Sequence, residues 1–283
     1  MSEKIIKTEK GYNLYCRYWN EESTHAKEDM KALVFIVHGY CEHCLFYNEL
    51  AEALKDQGLY VFSHDHVGHG QSEGTRGLVG DFMEYVQDVI YHIELVKKKF
   101  PQKPVFLLGH SMGGAVSILA AMSKPNYFKG VVLIGPAITP DKDSATCFKV
   151  FALKIAARIF PQLVVAKIDP LKISRDEAFV KRYKEDPLVF YETVKCGWAL
   201  AYLHALAQIT SSFQDMTWPF IVIHGSEDTI CEMEGSQLLY DKAASKDKQI
   251  KIFDGAFHQV HNDTPEVKKE TQKTISQWIA ERL

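Results

Sequence analysis

Short apolar runs recur along the chain with helix-period patterns between them. The runs are ALVFIV (32–37), LYVFS (59–63), VFLLG (105–109), VVLIG (131–135), FIVIH (220–224) and IKIF (250–253). Several are continuous rather than alternating, as expected for strands covered on both faces. Residues 47–56, 81–99, 114–123 and 266–282 carry helical spacing, the last with Val267, Ile275, Trp278 and Ile279 on one side. This alternation predicts a single α/β domain over residues 1–283, with a mostly parallel central sheet flanked by helices.

Residues 136–219 interrupt the alternation. Within them Phe148, Phe151, Ala152, Ile155 and Ile159 share one helical face, while Lys149, Lys154 and Arg158 fall elsewhere, and Pro161 ends the pattern. The stretch reads as an inserted helical cap over the carboxyl ends of the strands, where open α/β sheets bind ligands.

Composition narrows the function classes. The 33 basic and 36 acidic residues leave a formal charge of -3, which argues against a nucleic-acid partner. The amino terminus lacks the apolar core of a signal peptide, and no run reaches the length of a membrane span. Six cysteines in 283 residues do not suggest a disulfide framework, so reduced thiols in the cytoplasm are expected.

Gly109-His110-Ser111-Met112-Gly113 fits G-x-S-x-G in the context that gives the motif meaning, with a strand before it and a helix after. A nucleophile presented on so tight a turn needs small neighbours, and Gly109, Gly113 and Gly114 supply them. The Met112 amide, in the first turn of the helix, points toward a developing oxyanion. A hydroxyl needs a base, and chain order selects it among twelve histidines. On this fold the acid and then the histidine follow the serine, each after a later strand. Asp228 follows FIVIH and His258 follows IKIF, which makes Ser111, Asp228 and His258 the expected triad. Asp254, Asp215 and His261 are competitors in less suitable positions. After ALVFIV the chain reads HGYCEH, and the Tyr40 amide is expected to face that of Met112 as the second oxyanion donor.

Other constellations are weaker. The spacing of His64-Asp65-His66-Val67-Gly68-His69 departs from H-x-H-x-D-H, so no metal is expected, and a turn with side chains bonded to backbone explains it better. Cys41-Glu42-His43-Cys44 has no second C-x-x-C to pair with. Cys231 follows the expected acid by three residues, where a thiol reagent could reach the site. Neither a Walker motif nor a dinucleotide fingerprint is found, so no cofactor is expected.

The segments HDHVGHGQSEG (64–74), PVFLLGHSMGG (104–114), DSAT-FKV around 143–150, YKEDPL (183–188) and GAFH (255–258) together resemble the monoacylglycerol lipases of the α/β-hydrolase superfamily. The likeness runs from YCRYW near residue 15 to the final helix. It implies an α/β-hydrolase fold, the same five site residues, no cofactor, and cleavage of monoacylglycerols to fatty acid and glycerol. It also implies a mobile hydrophobic cap with transient membrane contact, peripheral association, a homodimer, and 2-arachidonoylglycerol as a candidate substrate. Lysophospholipase, carboxylesterase and weakly active lipid-binding protein are the alternatives. One departure stands out: the family usually carries alanine then glycine where this chain has Tyr40 and Cys41. That substitution bears on the oxyanion turn and on the width of the pocket.

Overall fold

A computed structural model describes residues 2–20, 30–140 and 147–283, so the DSAT stretch lies outside the described residues, as does the side chain of Phe148. The strands are β1 (Ser2–Lys7), β2 (Asn13–Tyr18), β3 (Ala32–Val37), β4 (Leu59–His64), β5 (Val105–His110), β6 (Gly130–Ile134), β7 (Val164–Ala166), β8 (Val194–Lys195), β9 (Phe220–Gly225) and β10 (Lys248–Phe253). The helices are α1 (Asn48–Lys55), α2 (Met83–Lys97), α3 (Met112–Ser123), α4 (Cys147–Ile159), α5 (Glu177–Glu185), α6 (Cys196–Ser211), α7 (Met233–Lys242) and α8 (Pro265–Ala280).

Eight strands form one sheet in the order β1-β2-β4-β3-β5-β6-β9-β10. β1 and β2 pair antiparallel, as do β2 and β4, while every pairing from β4 through β10 is parallel. The continuous apolar runs occupy the middle: all positions of β3, β5, β6 and β9 are buried. Alternating strands lie at the edges, where one face meets water, as in SEKIIK of β1 and KQIKIF of β10. Successive residues of β3 feed two separate cores, Leu33, Phe35 and Val37 on one face and Val34 and Ile36 on the other. Helix α8 covers the second face with Ile275, Trp278 and Ile279 buried, and Val267 packs beside them half-buried.

Between β6 and β9 the chain builds α4, α5 and α6 together with a two-stranded antiparallel ribbon of β7 and β8. Helix α6 is apolar almost throughout and packs on both α3 and α4. The apolar face expected on α4 turns outward: Phe151, Ile155 and Ile159 are 62, 49 and 60% exposed. Phe160, Leu163, Val164, Val165 and Leu171, in the same insertion, are exposed as well. A helix packed wholly on its own sheet would have hidden these side chains.

Candidate active site

The carboxyl ends of four parallel strands meet here: β3 leads to His38-Gly39-Tyr40, β5 to Ser111, β9 to Asp228 and β10 to His258. At the end of β5 the chain reverses into α3 through Ser111, whose φ of 55° and ψ of -121° lie where side chains are strained. The surroundings enforce this shape. The Ser111 amide donates to Ile134 O (3.0 Å), and its carbonyl accepts from Gly114 N (2.9 Å) and Ala137 N (3.0 Å). A Cβ on Gly113 would lie 2.0 Å from Val37 O, and one on Gly109 would lie 2.3 Å from Gly113 O. The motif's glycines are therefore spent on the contact between α3 and the sheet. Met112 is the first residue of α3, so its amide belongs to the free donors at the helix start.

The structure pairs the expected acid with the expected base: His258 Nδ1 lies 2.7 Å from Asp228 Oδ2. Both residues are buried, and the carboxylate's other oxygen accepts from the amides of Ile230 (2.9 Å) and Cys231 (3.0 Å). Burial alone would raise the Asp228 carboxyl, but His258 and His224 beside it hold it well below the usual carboxylate range. An ionised Asp228 fixes the proton on Nδ1 and leaves Nε2 of His258 as the basic nitrogen. The competitors are placed elsewhere. Asp254 bonds Ser226 Oγ, and His261 stacks on Tyr47. Ser111 itself is partly exposed, with its hydroxyl 3.8 Å from Cys231 Sγ. The imidazole of His258 packs against His110, the residue preceding Ser111, with ring centroids 4.6 Å apart.

The turn after β3 lies against the serine: a Cβ on Gly39 would sit 3.2 Å from that of Ser111. Its two unusual residues are both consequential. Cys41 adopts φ 66°, the left-handed region that favours glycine, and its thiol reaches Phe190 O (3.7 Å). The Tyr40 side chain is buried, its hydroxyl donating to Gly77 O (2.9 Å) and Thr193 O (3.2 Å). His43 Nε2 lies 3.1 Å from Asp186 Oδ2. The turn is thus fastened to the segment leading into β8 and α6.

Two residues at the site were not identified in the sequence. Glu42, fully buried, accepts from Gly39 N (2.5 Å), Tyr47 Oη (2.5 Å) and Gln259 Nε2 (2.9 Å), and lies 3.0 Å from His110 Nδ1. It ties the β3 turn to the residues beside Ser111 and His258. Burial would raise its carboxyl, but His110 and Tyr47 donating into it hold it below the ordinary range. His224, the last side chain of β9, puts Nε2 3.0 Å from Asp228 Oδ2 and 2.7 Å from Cys231 O, while Nδ1 meets Ser236 Oγ at 2.7 Å. A polar residue closing an apolar run is the available sequence signal for His224. Glu42 has none, because nothing local announces that a carboxylate will be buried.

The residues after β4 form a turn built on backbone contacts. Asp65 accepts from the amides of Cys44 and Gln71, each at 2.8 Å, and His69 Nδ1 donates to Val67 O. Cys41 and Cys44 are free buried thiols, and burial pushes both well above the ordinary thiol range.

Comparison with known proteins adds to this geometry. The family described as Serine aminopeptidase, S33 (Hydrolase_4) matches residues 28–265. Monoglyceride lipase of Mus musculus is 41% identical over 273 residues, covering 96% of this chain and 88% of that protein. Its Homo sapiens counterpart is 42% identical over 272 residues with the same coverage. The crystal structure of Paleococcus ferrophilus monoacylglycerol lipase superposes with a TM-score of 0.80 at 29% identity, over 95% of this chain and 99% of that one.

Proposed function

Because this chain belongs to the monoacylglycerol lipase family of the α/β-hydrolase superfamily and is a carboxylic-ester hydrolase, we propose that it cleaves long-chain monoacylglycerols through an acyl-enzyme on Ser111. The observation carrying this reading is the buried Asp228–His258 pair, 2.7 Å apart, beside a serine on a strained strand-to-helix turn.

In this mechanism Ser111 turns from Cys231 toward His258 Nε2, which accepts the hydroxyl proton as Oγ bonds to the ester carbonyl carbon. Asp228 orients the imidazole and stabilises its protonated form. The amides of Met112 and Tyr40 hold the tetrahedral oxyanion, and each such donor is worth about 10²–10³ in rate. Collapse breaks the bond to glycerol, whose oxygen takes the proton from His258. Water then attacks the acyl-enzyme by the same route, releasing fatty acid and restoring Ser111.

The segment from 136 to 219 serves as the cap of this site, and its exposed apolar side chains meet the lipid surface from which substrate is drawn. Among the described residues no helix is long and apolar enough to cross a membrane, so such contact would be peripheral. 2-Arachidonoylglycerol falls within the proposed substrate class.

The test is fatty-acid release from a long-chain monoacylglycerol in detergent, beside diacylglycerol and lysophospholipid, with Ser111→Ala as control. Turnover of the monoacylglycerol that Ser111→Ala abolishes is the expected outcome. Equal or faster turnover of the lysophospholipid would replace the substrate assignment, and full activity in Ser111→Ala would overturn the mechanism.

A further inference from the structure

Tyr40, Trp198 and Tyr202 form a continuous aromatic stack. The Tyr40 and Trp198 rings lie 3.7 Å apart at 27°, and those of Trp198 and Tyr202 lie 4.7 Å apart at 15°. Trp198 and Tyr202 are four residues apart on α6 and so share one face of it. Tyr40 is held on its other sides by the ring of Phe190, edge-on at 5.3 Å, and by the hydrogen bonds of its hydroxyl to Gly77 and Thr193.

The Tyr40 end of the stack adjoins Ser111, and α6 carries the rest of it along α3. Tyr40 follows Gly39, where a Cβ would touch that of Ser111. At the far end the Tyr202 hydroxyl is pushed well above the ordinary tyrosine range, by burial first and then by Cys231 and Asp228 nearby. Cys231 in turn stands 3.8 Å from Ser111 Oγ. Helix α6, which carries two of the rings, packs on α3, whose N-cap is Ser111.

We propose that these three rings form a wall of the acyl-binding space beside Ser111, with Tyr40 as the residue that limits how long an acyl chain is accepted. The C–H edges of stacked rings would leave the hydroxyls of a glycerol unpaired, whereas they suit a hydrocarbon chain. A small side chain at position 40 would open the space that the ring fills. The proposal rests on the ester-hydrolase reading of the same site and adds its chain-length selectivity.

The experiment compares kcat and KM for p-nitrophenyl esters from butyrate to palmitate, and for the matched monoacylglycerols, in wild type, Tyr40→Ala, Tyr40→Phe and Trp198→Leu. Tyr40→Ala should raise the ratio of long-chain to short-chain kcat/KM about tenfold or more, chiefly through KM. Trp198→Leu should move the ratio the same way, which keeps the test decisive should Tyr40→Ala fail to fold. Tyr40→Phe, which keeps the ring and loses the hydroxyl bonds, should retain the wild-type ratio. A common fall at every chain length in Tyr40→Ala and Trp198→Leu would overturn the proposal, because loss of support for the turn alone predicts that result. Turnover of p-nitrophenyl esters without any monoacylglycerol would sink the substrate assignment and still decide the role of the wall.

Discussion

Acidification from pH 7 to about 5.5 should cost this protein about 5 kcal/mol of stability, because it buries several histidines that cannot take up a proton while folded. His64, His66 and His69 follow one another at the end of β4 and beyond, His92 on α2 stacks on His64, and His261 stacks on Tyr47. Each is fully or almost fully buried. Burial, the largest cause in every case, pushes His64, His66, His69 and His261 well below the ordinary 6.5, and His92 down to about 3. The unfolded chain binds protons at these groups below pH 6.5 and the folded chain does not, so their contribution is complete above that pH and is lost as pH falls. One such histidine costs about 1.2 kcal/mol between pH 7 and 5.5, and five cost about 6 kcal/mol, against a typical total stability of about 5–15 kcal/mol. Asp88 works in the opposite direction. Burial and then Glu84 raise its carboxyl to about 7, so the folded state takes up that proton as pH falls below 7. The residue is partly exposed, and screening limits the compensation to about 1 kcal/mol. Urea unfolding followed by tryptophan fluorescence across this pH range measures the difference directly. His92→Phe, which puts a phenyl ring where the imidazole packs among Tyr18, Phe35 and Phe62 and gives up its bonds to Tyr18 Oη and His64 Nδ1, should lower stability at every pH but reduce the pH slope by one proton. A loss below about 2 kcal/mol, or an unchanged slope in His92→Phe, would refute the reasoning.

Asp228→Asn should keep the fold, shown by an unchanged circular dichroism spectrum, and lower kcat by about 10⁴ by favouring the wrong tautomer of His258; a loss under tenfold would remove Asp228 from the mechanism. Glu42→Gln puts an amide where both carboxylate oxygens accept, so its N–H donors face either Gln259 Nε2 or the group of Gly39 N, Tyr47 Oη and His110 Nδ1. Urea unfolding should register a cost of about 2–4 kcal/mol, with a parallel fall in kcat as the β3 turn loosens. The double substitution Ile155→Ser and Ile159→Ser alters two exposed side chains, so the thermal midpoint should stay within a few degrees of wild type while sedimentation with phospholipid vesicles falls. Undiminished vesicle binding would place the lipid contact elsewhere.

Much of the architecture is written in local pattern. A strand buried on both faces has to be apolar at every position, which is why ALVFIV, VFLLG and FIVIH are legible as central strands. The close approach of α3 to the sheet demands glycine at positions 109 and 113, and the order of serine, acid and histidine follows from which strand ends each occupies. Edge elements carry a weaker signature: β1 and β2 match the central strands in length but mix polar and charged residues with apolar ones, and the ribbon of β7 and β8 is only three and two residues long, so none was evident before the structure.

What only the tertiary structure decided is where the polar groups and the leftover apolar faces go. Helical spacing showed that Phe151, Ile155 and Ile159 share a face of α4, but the direction of that face depends on what packs against the helix, and it points to solvent. The burial of Glu42 among Gly39, Tyr47, His110 and Gln259 depends on residues up to 217 positions apart along the chain. Tyr40 was recognisable as a departure; that its ring would stack on α6 was not. Sequence patterns report which residues are neighbours on one element, whereas these contacts join elements whose relative placement is set by packing the whole sheet and the insertion together.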